Sequence, residues 1–206
     1  MRPGMRSGMA TVVTGFEPFG GAGSNASELV VTALAASEDP GLATAVLPTS
    51  YRRAEAGIGD LLRSHRPRRV LMLGLADGAA RIRFEQVALN LNDALAPDND
   101  GEVRQRQRIV AQAPVGYWNT LPLGRMAETA RALGEEVEFS RDAGGYVCNH
   151  VFFTAAHLAA TEFPGTGTGF VHLPAVEVSD KRLGRFVAIV RSWAADAQGA
   201  PSPSRS

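Results

Sequence analysis

The single cysteine of this 206-residue chain, Cys148, lies in a segment whose composition favours nucleophilic chemistry. Gly144 and Gly145 precede it and predict a flexible turn, and apolar residues follow it at helical spacing over residues 151–159. Cys148 is therefore expected where a loop becomes a helix, and the unpaired amides and helix dipole there stabilise a thiolate. The alternative is a buried structural thiol, because free cysteines often pack as small hydrophobic side chains.

A cysteine nucleophile needs a base, and the chain has four histidines. On the predicted helix, His150 lies about 200° around the axis from Cys148, and His157 also lies on the far face. His65 ends a predicted helix among arginines, where a solvated side chain is expected. His172 remains, close to the C-terminal end of a predicted strand, where catalytic groups gather in open α/β sheets. A structural histidine is the alternative there.

A third residue would hold the imidazole in the right tautomer, and elimination does not identify it because 21 acidic residues compete. Val87, Leu89 and Leu91 alternate with polar residues like a half-buried strand, and Glu85 lies in phase with them on the apolar side. A carboxylate on an apolar face needs a partner. This placement favours Glu85 as the orienting residue.

The loop after the first predicted strand carries two further patterns. Residues 21–26 match the G-x-G-x-x-A motif of dinucleotide sites and precede a predicted helix. The match is weak, because five residues separate the strand from the first glycine and no acid follows the second strand. Phe16 and Phe19 lie in the same loop and either cover the core or line a pocket, and both interpretations stay open.

The composition predicts one globular domain in a reducing compartment. Basic and acidic residues both number 21, so the net charge is zero. The excess of positive charge that would favour binding to nucleic acid or an anionic membrane is therefore missing. No segment reaches the length of a membrane span, and a lone cysteine excludes an internal disulfide, which fits the cytoplasm. We expect a flexible N-terminus at residues 1–9, a single domain at 10–196 and a disordered tail at 197–206.

The order of predicted elements indicates the fold class. Strands are predicted at residues 11–14, 43–47, 70–73, 137–139 and 169–174, and a helix at 123–133. Further helices are predicted after Asn25, after Thr49 or Ser50, after the Cys148 turn and after Ser179. Alternating strands and helices are typical of a three-layer α/β/α sandwich with a mixed, largely parallel, twisted sheet.

These motifs together resemble pyroglutamyl peptidase I, also called pyrrolidone-carboxylate peptidase, a family of cysteine peptidases. The resemblance spans almost the whole chain, through residues 14–21 (TGFEPFGG), the Glu85 strand, 97–99 (PDN), 117–118 (YW), 146–150 (YVCNH) and 170–174 (FVHLP). It implies that Cys148 is the nucleophile, His172 the general base and acid, and Glu85 the residue that orients His172.

The resemblance also implies a substrate and its pocket. The substrates are peptides with an N-terminal pyroglutamate, and the enzyme is cytoplasmic, free of cofactor and metal, and a homo-oligomer, either a dimer or a tetramer. The residues expected around the pyroglutamyl ring or beside it are Phe16, Phe19, Asn25, Thr49, Leu75, Ala96, Tyr146 and Val147.

Two departures from the family pattern affect the predicted site. Residues 93–99 are DALAPDN where the family usually has DARIPDN, so Leu95 replaces an arginine and Ala96 a bulkier residue. Residues 74–78 are GLADG where relatives have GQAGG. Two alternatives therefore stay open: a cysteine hydrolase acting on another N-acyl or cyclic amide, and a homologue that binds with weak turnover or none.

Overall fold

The computed structural model describes the backbone of residues 11–199 and the side chains of residues 11–195. Within these residues helices cover both faces of a six-stranded mixed sheet, which confirms the predicted fold class. The strands are β1 Thr11–Phe16, β2 Leu42–Leu47, β3 Arg69–Ala76, β4 Ile82–Glu85, β5 Val87–Leu89, β6 Gly116–Trp118, β7 Val137–Ser140 and β8 Gly167–Pro174. The helices are α1 Ala26–Ala35, α2 Tyr51–His65, α3 Leu123–Ala132, α4 Val147–Thr161 and α5 Lys181–Gly199.

The strand order in the main sheet is β2-β1-β3-β8-β4-β7. The first four strands are parallel, whereas β4 pairs antiparallel with β8 and parallel with β7. In this register Gly74 of β3 lies opposite His172 of β8, and Glu85 of β4 lies opposite Phe170. Side chains two residues apart on a strand share a face, so Glu85 and His172 lie on the same side of the sheet.

Two apolar clusters cover the two faces of the sheet. Helices α1, α3 and α5 pack on one face, and α2 and α4 pack on the other. The central strand β3 contributes to both clusters, and its residues 70–73 are fully buried. This confirms the prediction of a strand covered on both sides, and each such side chain contributes roughly 1.5–3 kcal/mol of transfer free energy.

Two of the three N-cap residues predicted from the sequence cap their helices in the structure. The Asn25 carboxamide accepts a hydrogen bond from Ser27 N at 3.0 Å and caps α1, and Ser50 caps α2. The predicted cap of the last helix, Ser179, is wrong. Asp180 precedes α5 directly, and its carboxylate accepts from Arg182 N at 2.8 Å, which is the amide that an N-cap side chain reaches.

The predicted alternating strand over residues 85–91 is wrong. It is two short strands, β4 in the main sheet and β5 in a hairpin with β6. Between them Gln86 N donates to Ser140 O at 2.8 Å, at the end of β7. Ala88 is fully buried while Leu91 is 39% exposed, which reverses the predicted phase. Glu85 is buried because β4 lies inside the main sheet.

The predicted boundaries of the domain can be compared with the structure only at the C-terminal end. Helix α5 continues to Gly199, so residues 197–199 of the predicted tail are helical. The rest of that tail and the predicted flexible segment 1–9 lie outside the described residues. Over residues 11–199, no helix is both long and apolar enough to cross a membrane, and no group of three or more potential ligands is placed to hold a metal ion.

Candidate active site

Cys148 is the second residue of α4, at the predicted junction of loop and helix. The residue is partly exposed to solvent. The N-cap residue Tyr146 gives no side-chain hydrogen bond to the helix. The amides of the first turn have no intrahelical partner either, so they are available as hydrogen-bond donors beside the sulfur.

Strand β3 passes close to Cys148 because Gly74 has no side chain. A Cβ at Gly74 would lie 3.0 Å from the sulfur of Cys148 and 2.8 Å from the ring of Phe170. Contacts this short force neighbours to move, so a larger residue would displace the sulfur. Gly74 therefore lets the sulfur of Cys148 lie directly against the sheet.

The turn before α4 is fixed by the loop that follows β5. Asp93 N donates to Gly145 O at 2.9 Å. A Cβ at Gly145 would overlap the backbone of Asp93, so this close approach requires glycine. The hydrogen bond and the packing together fix the point at which α4 begins.

Asn149 anchors the first turn of α4 and was not singled out from the sequence. Its fully buried carboxamide accepts from Leu89 N at 2.9 Å and donates to Leu89 O at 2.9 Å and to Leu91 O at 2.8 Å. A polar residue within the apolar start of the helix is the signal that could have indicated this role. Asn149 thus fixes the start of α4, directly after Cys148, against β5 and the loop that follows it.

His172, Glu85 and Cys148 meet on the α4 side of the sheet. His172 Nδ1 lies 2.8 Å from Glu85 Oε1, and Cys148 is close enough to the imidazole to raise its pKa. Glu85 is fully buried and His172 is 8% exposed. A carboxylate only accepts, so Nδ1 carries the proton and Nε2 is left for the sulfur. Sulfur, imidazole and carboxylate therefore lie in series.

The surroundings of His172 change the pKa of its imidazole. Burial lowers this pKa, but the hydrogen bonds and the negative charges of Cys148 and Glu85 outweigh burial and raise it to about 9. The charged imidazolium is thereby favoured at neutral pH, next to the sulfur of Cys148.

The other histidines lie away from the sulfur. His150 is fully buried, with its ring nitrogens 3.2 Å from Asn92 Oδ1 and 3.2 Å from Glu55 Oε2. His157 Nδ1 lies 2.8 Å from Tyr117 Oη. The predicted divergence of both side chains from Cys148 is confirmed. His65, which is half-buried, is the last residue of α2.

Aromatic rings form a wall beside Cys148. The rings of Phe19 and Tyr146 lie 5.8 Å apart, and Tyr146 Oη donates to Pro97 O at 2.9 Å. Burial, followed by the charges of Asp98 and Cys148, raises the pKa of Tyr146 to about 12. The phenol therefore stays protonated and keeps its hydrogen bond at neutral pH.

The remaining predicted substrate-binding residues fall into two groups. Thr49 lies near this wall, where its hydroxyl donates to Glu17 O at 2.8 Å. Leu75 lines a cavity at the end of β3. Ala96 is exposed in the loop that contains Pro97. Three others are packed in the interior, like Thr49, with at most 2% exposure: Phe16, Asn25 and Val147. The contact of all four residues with substrate stays a prediction.

Two acidic residues that hold the surrounding loops were missed at the sequence level. Glu17 Oε1 accepts from Thr49 N at 3.1 Å and from Asn99 Nδ2 at 3.0 Å. Asp98 is 5% exposed and accepts from Tyr51 N at 2.9 Å. The turn-forming run at residues 98–101 (DNDG) is the sequence signal for the second of them.

Comparison with known proteins identifies a family that matches most of this chain. A family model described as "Pyroglutamyl peptidase" matches residues 9–184. A pyrrolidone-carboxylate peptidase of Streptomyces coelicolor is 38% identical over 165 residues, which cover 79% of this chain and 76% of that protein. One from Gloeobacter violaceus is 39% identical over 168 residues, which cover 81% and 82%.

Solved structures show the same fold. Pyroglutamyl peptidase I of Bacillus amyloliquefaciens matches with a TM-score of 0.85 and 28% identity, covering 94% of this chain and 96% of that chain. A mutant pyrrolidone carboxyl peptidase of Pyrococcus furiosus matches with a TM-score of 0.82 and 29% identity, covering 92% and 97%.

Proposed function

The chain belongs to the pyroglutamyl peptidase family, and on that premise we propose that Cys148, His172 and Glu85 carry out its reaction. It is a cysteine peptidase that removes an N-terminal pyroglutamyl residue from peptides. The observation that supports the residue assignment is the series of sulfur, imidazole and buried carboxylate, with Nδ1 of His172 2.8 Å from Glu85.

The first half of the reaction is acylation. The thiolate of Cys148 attacks the carbonyl carbon that joins pyroglutamate to the next residue, and the carbonyl oxygen becomes an oxyanion. The unpaired amides at the start of α4 donate to this oxyanion, an effect worth about 3 kcal/mol for each donor. The imidazolium of His172 then protonates the leaving amine as the C–N bond breaks, which leaves a thioester on Cys148.

The second half is hydrolysis of the thioester. Neutral His172 takes a proton from water, and the hydroxide attacks the thioester carbon. The collapse of this intermediate breaks the C–S bond, releases pyroglutamate and restores the thiolate and imidazolium pair. Glu85 stabilises the charged imidazole in both halves and holds its Nδ1 proton in place.

The aromatic wall suits the uncharged lactam of the substrate. Phe19 and Tyr146 provide apolar ring surfaces near the sulfur, and the exposed loop at residues 95–97 borders them. A slot of this kind binds a neutral ring through packing and a few hydrogen bonds. An ordinary N-terminus would have to bury an ammonium group there without a partner.

The relatives favour this activity over the two alternatives that the departures from the family pattern left open, a shifted substrate and a homologue with weak turnover or none. Both sequence relatives described above carry the same peptidase name. Leu95, which replaces the family arginine, is 81% exposed, so this departure lies on a side chain that projects into solvent. A shifted N-acyl specificity is thus the less favoured hypothesis.

We expect the protein to release aminocoumarin from pyroglutamyl-aminocoumarin at least about 100-fold faster than from prolyl-aminocoumarin, because the prolyl ammonium would be buried unpaired. Steady-state fluorescence gives kcat/KM for both. N-acetylprolyl-aminocoumarin is the matched neutral control, since it lacks the ammonium and the lactam. Absence of pyroglutamyl turnover throughout the range from about pH 6 to 9 would contradict the proposal.

We expect kcat/KM to fall as the pH rises through about 9, because the raised pKa of His172 marks the loss of the proton that the leaving amine needs. The Glu85→Gln variant removes a charge that raises this pKa, so its basic limb should lie at lower pH. A profile of kcat/KM against pH for both proteins tests this. Identical basic limbs would show that Glu85 does not act through His172.

The same raised pKa affects stability. The folded-state pKa of about 9 exceeds the ordinary value of about 6.5, so charged His172 stabilises the native state fully below about pH 6.5. This contribution is lost as the pH rises through about 9. The loss therefore falls in the same pH range as the loss of activity.

We also propose a homo-oligomer, dimer or tetramer, that works in the cytoplasm. Trp118 and Val115 support the oligomer, because they are 68% and 75% exposed and lie three residues apart at the β6 hairpin. Exposed apolar residues grouped in this way are typical of surfaces that pair with another chain. The lone cysteine supports the reducing compartment.

A further inference from the structure

A cavity of about 420 Å³ lies at the carboxyl ends of β3 and β8, on the side of the sheet away from α4. Leu75 and Val176 line it, and both belong to the apolar cluster under α1, α3 and α5. Leu75 follows Gly74, the residue that packs against the sulfur of Cys148. The cavity therefore begins one residue along β3 from the glycine that contacts the sulfur, on the opposite face of the sheet.

The position of His172 decides which part of a substrate this cavity faces. The leaving amine must lie beside His172, which protonates it, so the peptide that follows pyroglutamate departs on the β8 side. Strand β8 ends at Pro174, and the next three residues, 175–177, line the cavity. Phe19 borders both regions, because it packs against Tyr146 and also lines the cavity.

The walls of the cavity combine apolar surface with negative charge. Phe19, Leu75 and Val176 are apolar, whereas Asp77 and Glu177 are exposed carboxylates at the opening. Among the described residues, neither carboxylate has an ion-pair partner, and no lysine, arginine or histidine lines the cavity. The two charges are thus available to a ligand.

We infer that this cavity binds the residue after pyroglutamate and that Asp77 and Glu177 make the enzyme favour a basic side chain there. The inference rests on the proposed catalytic residues, since they set the direction of the leaving group. Lysine and arginine pack their aliphatic stems on apolar surface and keep the charged group near solvent. Leu75 and Val176 would contact the stem, and the two carboxylates would attract the charge.

The test compares two matched peptides, pyroglutamyl-arginyl-alanine amide and pyroglutamyl-citrullyl-alanine amide, which differ in charge but hardly in shape. We expect kcat/KM to be about threefold to tenfold higher for the arginyl peptide at low salt, because exposed ion pairs are individually weak. In 1 M salt the ratio should fall towards one, since the screening length shrinks to about 3 Å. Release of the amine product measures both rates.

The double variant Asp77→Asn/Glu177→Gln should bring the ratio close to one at low salt. The control Glu128→Gln/Glu162→Gln removes two exposed charges of the same sign, one on α3 and one at the far end of α4, and should leave the ratio unchanged. An equal ratio in parent and Asp77/Glu177 variant, or no preference in the parent, overturns the inference.

Pyroglutamyl-aminocoumarin separates this failure from failure of the proposed function. Its leaving group carries no side chain, so the parent and the Glu128→Gln/Glu162→Gln control should cleave it at similar rates. Turnover of this substrate without any arginyl preference rejects the acidic subsite alone. Absence of turnover in the parent rejects the proposed catalytic residues as well.

Discussion

Replacement of Cys148 by serine is expected to lower kcat/KM for pyroglutamyl-aminocoumarin by about 1,000-fold or more. The serine hydroxyl stays protonated beside His172 and is a far weaker nucleophile than a thiolate. Cys148 is partly exposed and serine is nearly isosteric, so the fold should persist. Steady-state kinetics measures the loss, and an unchanged urea midpoint verifies the fold.

Labelling with iodoacetamide gives an independent check of the nucleophile. Cys148 is the only cysteine, so one label per chain reports on this residue without further mapping. Rapid labelling near neutral pH, slowed by a pyroglutamyl aldehyde that occupies the site, is the expected result. A Cys148→Ser protein that retains most of its turnover would assign the reaction to another group.

The variant His172→Asn is expected to lower kcat/KM by about 1,000-fold, because it removes the group that takes and returns the proton. Asparagine keeps an N–H donor for Glu85, which is fully buried. By contrast His172→Ala would leave this carboxylate unpaired and cost about 3–5 kcal/mol of folding free energy. The asparagine variant therefore separates lost chemistry from lost stability.

His157→Asn is the matched control, because His157 lies on the same helix as Cys148 but contacts Tyr117 instead of the site. It should keep kcat/KM within about twofold of the parent. Iodoacetamide labelling of Cys148 should slow in His172→Asn and not in His157→Asn, since the proposed proton exchange with the sulfur involves His172. Equal losses of kcat/KM in both variants would contradict the assignment.

Local sequence patterns predicted most elements of the fold. The apolar run at residues 70–73 forms the central strand β3, and the helical spacing after Cys148 forms α4. Asn25 caps α1 as predicted. These features depend on neighbours within a few residues, where propensity, periodicity and capping chemistry are strong.

The errors lie where distant parts of the chain decide the outcome. Residues 85–91 look like one alternating strand, but pairing with β8 and β7 keeps Glu85 in the main sheet while β6 draws β5 into a separate hairpin. Asn149 and Glu17 were overlooked as anchors for the same reason, because their partners Leu89 and Asn99 are 60 and 82 positions away.

The sequence by itself determined the chemistry that the chain carries: one thiol at a helix start, one histidine at a strand end, and motifs shared with a peptidase family. Only the tertiary structure decided that sulfur, imidazole and carboxylate meet, because contacts between Glu85 and His172 span 87 positions and depend on strand register. It also placed Leu75, Asp77 and Glu177 around one cavity. Side-chain identity is local information, whereas proximity is set by how the strands pair and pack.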